Sequence, residues 1–540
     1  MMDHGQIGRR RVRPPRGAYA AGFALMLAAG LAARVETLTD WDSWDYAWMA
    51  IRKQPSGLCL GRWWFIGLMR LAWLGGSALG LGRADAYVPM QLAVALMTAG
   101  GLVAVMHWTF QLTGERLSAI CAGLVVGLSP SLLAYSSVVM TEGPTILAMA
   151  AGWILWQRAL GLVESRGLAG AGGLAVLGGV CFGVAVSMRE PALLLGAWPV
   201  AACVVGRQRR RWGLLGLAVA GTVLSVGLAV LMAWLWSGDS PVVMMARYSA
   251  YMKTERATYG YDELANVQFL VMHFVTAAPL GALALAVAAV LGVWRTVRAG
   301  GRWRVVREAP VADPRGVRRV LAALAISVVP YVLMTWWNPD LSFNYRLLLP
   351  LTAMLAPVMG WIAAGLLRRL GVAWGGWSRP ARRGFVVMAV VTLGLMGYGS
   401  YKRLGYHFAS AEQQGELLSA MQQLPAGSAV YPGPGSGIGL YLVNSGAKPY
   451  WQLHPTRPAA AKWTPESLAA EARRVWSRGG QVYVNAVRRG WIRAHGPSPE
   501  WDAISGFLRQ GRWVDAPGPF KRLVELDGGE SELAQPSSPR

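Results

Sequence analysis

Apolar runs of membrane-spanning length recur along this chain from its first residues to about residue 400, and no other feature restricts the fold as much. Ala18–Ala33, Pro89–Phe110, Leu168–Val186, Leu214–Trp236 and Val317–Trp337 each approach the ~20 residues that cross a hydrocarbon core. Several contain Gly and Pro, which bilayer helices accommodate better than soluble ones. Only 15% of the 540 residues are charged, against about 25% in a soluble protein. The pattern predicts an all-α polytopic membrane protein with eleven spans, near 18–34, 89–110, 117–136, 143–160, 168–187, 191–206, 213–236, 268–294, 317–337, 346–367 and 384–400. The first run has no clean small-residue cleavage site and further spans follow it, so it reads as a span and not as a signal peptide.

A formal charge of +24 would point to nucleic acid in a soluble protein. Here it reads as topology. Arginines cluster at Arg9–Arg16, Arg207–Arg211, Arg295 to Arg319 and Arg368–Arg383, and Lys/Arg-rich loops stay in the cytoplasm. With residues 1–17 inside and eleven spans, all four clusters fall on the cytoplasmic side. The same parity puts Val35–Val88, Ser187–Glu190, Ser237–Gln268 and the tail from Tyr401 outside a bacterial inner membrane. Of the four cysteines, Cys59, Cys121, Cys181 and Cys203, only Cys59 falls in an outer segment, so no intramolecular disulfide framework is expected.

Beyond the membrane domain (18–400) the composition changes. In Leu424–Asp527 the β-prone runs Ser428–Tyr431, Gln481–Val484 and Arg522–Glu525 alternate with the helix-like stretches Pro465–Arg478 and Pro499–Gln510. This predicts a small C-terminal extracytoplasmic α/β domain over 401–527. The glycine cluster Gly433–Gly439 fits neither the dinucleotide fingerprint nor the GxxxxGK[ST] loop and reads as a turn. Residues 528–540, rich in Ser, Pro and Glu, read as disordered.

The densest chemistry lies just after the first span, in the outer loop 35–88. Asp40, Asp42 and Asp45 occur within six residues, interleaved with Trp41, Trp44, Tyr46 and Trp48. If this stretch is helical, Asp42 shares a face with Asp45 and Tyr46 at i, i+3 and i, i+4. An interfacial aromatic belt and helix-capping acids account for the tryptophans and one or two of the acids. They do not account for three acids packed at a membrane surface, where each raises the others' ionisation cost.

Asp42-Ser43-Trp44-Asp45-Tyr46-(x)3-Ala50 is similar to the Asp-x-x-x-Tyr-x-x-x-Ala pattern of the GT-C superfamily. These are integral-membrane glycosyltransferases that use lipid-phosphate sugar donors, among them protein O-mannosyltransferases and bacterial aminoarabinose transferases. Ser129-Pro130, Tyr135-Ser136, Thr141-Glu142, Arg189-x-Pro191 and Tyr345-Arg346-Leu-Leu-Leu-Pro350 resemble later segments of these enzymes, and the likeness covers roughly 18–367. Two departures stand out. Gly61-Arg62-Trp63-Trp64 occupies the place of the family's His-Pro-Pro-like segment, and Ser43 follows Asp42 where many members carry a second acid.

The resemblance implies transfer of a sugar from a polyprenyl-phosphate donor to an envelope lipid, polysaccharide or protein, with inversion. Asp42 is the first candidate for the base, with Asp40 and Asp45 as its alternatives. Arg346, Arg62 and Arg189 are the candidate ligands of the donor phosphate, since a guanidinium offers phosphate a planar charged fork. Tyr46, Glu142 and Tyr345 are candidate substrate-positioning residues. Arg346 also fits an interfacial snorkelling arginine, and Arg189 a local ion pair with Glu190. Arg247-Tyr248 and Lys253 to Tyr261 read as a surface helix or a donor lid. The three acids could hold a divalent metal through hard oxygen ligands. A flippase or transporter would instead place ionisable groups near the bilayer midplane, and a scaffold displaying the C-terminal domain would tolerate loss of the outer-loop acids.

Overall fold

The computed structural model describes residues 13–34, 41–52, 62–81, 87–206, 209–240, 263–298, 314–337, 345–374, 415–431, 451–452, 464–485, 499–526 and 530–531, with scattered positions in 242–249 and 378–412. The described part is mostly helical, with a small sheet near the C-terminus.

The first helix, α1 (Arg16–Ala32), is followed by α2 (Trp41–Arg52) and α3 (Trp63–Ala78). The stretch 35–88, expected as a loop between spans, thus carries two helices that pack against each other. Next come α4 (Tyr87–Thr113), α5 (Arg116–Gly127), α6 (Pro130–Tyr135) and α7 (Glu142–Met188). A 3-10 turn, Glu190–Gly196, leads into α8 (Ala197–Gly206) and α9 (Arg209–Ser237). After them stand α10 (Glu263–Ala277), α11 (Pro279–Arg298), α12 (Pro314–Ser327) and α13 (Val329–Trp336), then a 3-10 turn, Tyr345–Leu348, and α14 (Leu349–Trp374). Among the described residues five helices are long and apolar enough to cross a membrane, or six if a bent pair is one span. Arg16–Ala32, Arg116–Gly127 and Glu190–Val204 are shorter apolar helices.

The 47 residues of α7 would reach about 70 Å if straight, more than twice a hydrocarbon core. They do not run straight. Gly167 takes φ 68°, ψ −172°, a left-handed region open to glycine because it has no Cβ. The two halves fold back on each other there: a Cβ added to Gly152 would meet the Gly178 carbonyl at 2.9 Å, and the Trp153 and Phe182 rings lie 4.9 Å apart. The two expected spans 143–160 and 168–187 are therefore the arms of a hairpin. Small residues let its second arm approach α9 closely, and Thr222 of α9 donates to the Gly179 carbonyl at 3.1 Å. The expected span 268–294 is not straight either. Leu264–Ala277 and Pro279–Val290 meet at 109°, since the residue before a proline is disfavoured in helical geometry.

In the tail, β1 (Ala429–Tyr431) lies between β2 (Trp451–Gln452) and β3 (Val482–Asn485), parallel to both. β5 (Phe520–Leu526) pairs antiparallel with β3, with β4 (Gly511–Asp515) and with β6 (Glu530–Ser531). α15 (Pro465–Trp476) and α16 (Pro499–Arg509) cover the sheet through Leu468, Ala472, Ile504 and Phe507. Thr464 and Ser467 cap α15 reciprocally, each side chain accepting from the other's backbone N–H at 3.2 Å. The glycine cluster Gly433–Gly439 and the terminal stretch from 532 lie outside the described residues. A continuous apolar cluster joins Leu417, Met421 and Phe520 of the tail to Tyr46, Trp63 and Phe65 of the α2–α3 pair.

Candidate active site at the acid–arginine cluster

Hairpin geometry explains the first contact. Because α7 turns back at Gly167, its first residue and the residue after its last lie at the same end of the bundle. Glu142 and Arg189, 47 positions apart, form a buried ion pair there, through Arg189 Nη1 and Glu142 Oε1. Their exposures are 0% and 4%. Next to Glu142, Gly143 leaves room for Thr98 of α4, where a Cβ would collide.

The α2–α3 pair supplies the second acid. Asp42 stands in the first turn of α2, and Tyr46 follows one turn along the same face; both side chains are buried. Tyr46 packs edge-on against Phe65 with ring centroids 5.4 Å apart. Arg62, just before α3, sits 5.0 Å above the Tyr46 ring and 3.7 Å from Asp42 Oδ2. Arg70 of α3 donates from Nη1 to the Ala50 and Ile51 carbonyls, at 2.9 and 3.1 Å. These are end carbonyls of α2 with no partner within the helix, so Arg70 anchors the helix that carries Asp42.

The third component comes from the far end of the chain. Arg346 lies in the 3-10 turn that opens α14. Its Nη2 donates to Asp42 Oδ2 at 2.5 Å, its Nε lies 3.8 Å from Glu142 Oε1, and its Nη1 is 3.6 Å from the Met140 sulfur. Tyr331 of α13 fixes this turn by donating to the Leu347 carbonyl at 2.5 Å, and its hydroxyl also faces Arg189 and Glu142.

Three guanidiniums thus meet two carboxylates, leaving one positive charge in excess among the five groups. Burial by itself raises the Asp42 carboxyl. The Arg346 and Arg62 guanidiniums outweigh that effect, with Arg189 adding to them, and hold it below the usual carboxylate range. Asp42 is therefore ionised at neutral pH. Glu142 Oε2 is buried with no hydrogen-bond partner among the described residues.

Asp42, Arg62, Arg189 and Arg346, the leading sequence candidates for base and phosphate ligands, converge here with Glu142 and Tyr46. The alternative of a local Arg189–Glu190 pair gives way to the pair with Glu142, which the hairpin makes possible. Asp40 lies outside the described residues, as do Arg247, Tyr248 and the Lys253 to Tyr261 stretch. Asp45 and Tyr345 are placed only by backbone, in α2 and at the start of the Tyr345–Leu348 turn. No three His, Cys, Asp or Glu side chains among the described residues form a group able to hold a metal ion. Sequence reasoning missed Tyr331, Arg70 and Met140. Tyr331 did carry a signal, because a phenol inside an apolar span needs a polar partner.

No protein-family model matches this chain, and no curated protein is similar to it in sequence. Solved structures are similar in three dimensions. One is the crystal structure of ArnT from Cupriavidus metallidurans bound to undecaprenyl phosphate, with a TM-score of 0.55 and 13% identity over 96% of this chain and 100% of that one. ArnT from the same organism in the apo state gives 0.50 and 13%, over 94% and 98%. The apo oligosaccharyltransferase of Archaeoglobus fulgidus gives 0.50 and 11%, over 86% and 69%. At such identities the likeness establishes a shared fold.

Proposed function

We propose that this protein is a multi-pass membrane glycosyltransferase that moves a sugar from a polyprenyl-phosphate carrier to an acceptor hydroxyl at the extracytoplasmic face of a bacterial inner membrane. The observation that carries this reading is the convergence of Asp42 and Glu142 with Arg62, Arg189 and Arg346 at one end of the bundle. A buried site with excess guanidinium charge suits the phosphate of a lipid-linked donor, and an ionised carboxylate within it suits a general base.

In this reading the acceptor oxygen attacks the anomeric carbon from the face opposite the phosphate. The new carbon–oxygen bond forms as the bond to phosphate breaks, its electron pair leaves on the phosphate, and the acceptor proton passes to Asp42. The configuration inverts. Arg346, Arg62 and Arg189 stabilise the departing phosphate, whose charge grows in the transition state. Tyr46 shapes the Asp42 wall, Tyr345 flanks Arg346, and the second, unpartnered oxygen of Glu142 positions the acceptor. Asp40 and Asp45 remain the alternative bases, and a divalent metal held by the three acids remains an alternative device.

Arg346 also restrains Asp42, since a carboxylate paired this closely is a weak base. A bound donor phosphate competes for the same guanidinium and returns basicity to Asp42 when the substrate is present. An apolar cavity of about 300 Å3 bordered by Trp153, Trp156, Phe182, Leu193 and Val219 offers a path for the carrier's tail. Phe182 lies about 10 Å along α7 from Arg189. The carrier class is supported by the likeness in fold to ArnT, whose structure holds undecaprenyl phosphate.

The topology we infer has eleven spans. Each arm of α7 counts once, the bent pair once, the three shorter apolar helices once each, and 384–400 supplies the last. Residues 1–17 are then cytoplasmic and the domain over 401–527 lies outside, over the acceptor side of the site. The deciding experiment is transfer of radiolabelled sugar from a polyprenyl-phosphate donor by the purified protein, followed by mass spectrometry of envelope glycans in a deletion strain. Absence of donor binding and of any glycan change would end this reading.

A further inference from the structure

A second polar site lies at the other end of α7. Glu164 is 22 residues beyond Glu142 on the same arm, or about 33 Å along a helix, close to the thickness of a bilayer's hydrocarbon core. It lies beside the Gly167 turn and the arginine-rich start of α9, features of the headgroup level. A cavity of about 240 Å3 opens there, lined by Gln157 and Glu164 of α7, Trp198 and Ala202 of α8, Arg211 of α9 and Val320 of α12.

The lining is chemically specific. Arg211 Nη2 pairs with Glu164 Oε1 at 2.7 Å, while Arg211 Nε is buried without a hydrogen-bond partner. Trp198 is 1% exposed, and its Nε1 is unpartnered too. Two residues that line one cavity therefore each carry a buried N–H donor with no hydrogen-bond partner among the described residues, beside a carboxylate that is 48% exposed. Buried donors are ordinarily satisfied, and these two suit phosphate oxygens. A simple anion does not complete the match, because Glu164 already balances Arg211. A zwitterion does: its phosphate takes the Trp198 and Arg211 N–H groups and its ammonium takes Glu164. Basic pockets between spans at the headgroup level are known sites for lipid headgroups.

We propose that this cavity binds the phosphoethanolamine headgroup of a membrane phospholipid, at the membrane face opposite the Asp42–Arg346 cluster. The site is independent of the transfer reaction and rests only on the chain's spanning a membrane.

The test is native mass spectrometry of the full-length protein released from detergent micelles and titrated with phosphatidylethanolamine, phosphatidylglycerol or inorganic phosphate. The expected result is one retained phosphatidylethanolamine, bound about tenfold more weakly in Trp198→Phe and in Glu164→Gln, as for loss of one charge-assisted hydrogen bond. Trp212→Phe, at an exposed indole outside the cavity, should bind like wild type. Glu164→Gln changes only a half-exposed carboxylate and keeps the test decisive if Trp198→Phe folds poorly. Equal retention by wild type and Glu164→Gln overturns the proposal. So does phosphatidylglycerol binding as tightly as phosphatidylethanolamine, since it has no ammonium, or inorganic phosphate competing at equal concentration, which would mark a soluble-phosphate site.

Discussion

Asp42 and Arg346 stand 304 positions apart in the chain and meet at 2.5 Å. Their contact joins the first turn of α2 to the turn that opens α14. Arg346 reaches Glu142 as well, so one guanidinium links both acids of the site.

That position makes Arg346 the first residue to test. Arg346→Ala should weaken polyprenyl-phosphate binding by about 10- to 100-fold, the range for loss of a hydrogen bond to a charged group. Arg346→Lys should recover part of it, because an ammonium keeps the charge without the planar fork. Binding is measured by titration with the unsugared carrier, which separates affinity from turnover. Unchanged affinity in both variants would reduce Arg346 to an anchor of the Tyr345–Leu348 turn.

The Glu142–Arg189 pair should behave differently, as an element of stability first. Both side chains are buried, and removing one partner of such a pair leaves an uncompensated charge at a cost of about 3–5 kcal/mol. Glu142→Leu and Arg189→Met alone should each lower the unfolding temperature sharply. The double variant should recover much of the loss while remaining weak in transfer. Thermal unfolding in detergent reads the first effect and sugar transfer the second; additive losses in the double variant would contradict direct coupling.

Tyr331 should act through Arg346. Its hydroxyl holds the Leu347 carbonyl, so Tyr331→Phe removes about 1 kcal/mol of fixation while keeping the ring. Turnover should fall several-fold with little change in expression, and Tyr331→Phe combined with Arg346→Ala should be no worse than Arg346→Ala alone. A further drop in the double variant would give Tyr331 a separate role.

Local patterns exposed part of this arrangement in the sequence. The i, i+4 spacing of Asp42 and Tyr46 predicted a shared face, and both residues do turn inward from α2. Arg62, Arg189 and Arg346 stood out as guanidiniums able to offer a donor phosphate a planar charged fork. Their partners were not legible. Arg189 sits next to Glu190 in sequence, and only the turn at Gly167 brings Glu142 to it. The helix Trp63–Ala78 escaped notice because Arg70 interrupts its apolar run and it is shorter than a span. β4 was missed for a related reason: Gly511–Asp515 is half exposed, so it lacks the apolar alternation that marks a buried strand.

Topology offers a test that needs no substrate. A reporter fused after Lys402 should read outside, and reporters within 298–319 and 369–382 should read inside, because arginine-rich loops stay in the cytoplasm. An inside signal after Lys402 would mean an even number of spans before it. It would also separate the C-terminal domain from the face on which the Asp42 cluster is inferred to work.

Asp42 itself decides the mechanism. Asp42→Asn keeps the size and a hydrogen-bond acceptor for Arg346 but cannot take up a proton, so transfer should fall by roughly 10²–10⁴-fold while the chain still inserts. Donor binding should persist, since the guanidiniums remain. The pH dependence follows from the direction of the shift. Burial raises the Asp42 carboxyl, but Arg346 and Arg62 hold it below its ordinary value. A carboxyl lower in the folded than in the unfolded state adds stability above its unfolded pKa, near 4, and loses it as pH falls through the folded value. Wild type should therefore be more stable than Asp42→Asn at neutral pH, and the difference should shrink below about pH 4. Thermal unfolding of both proteins between pH 3 and about 7 measures it. A constant difference across that range would mean that Asp42 does not carry the charge Arg346 faces. Full transfer by Asp42→Asn would move the base to Asp40 or Asp45, and full transfer by the triple Asn variant would remove the carboxylate mechanism altogether.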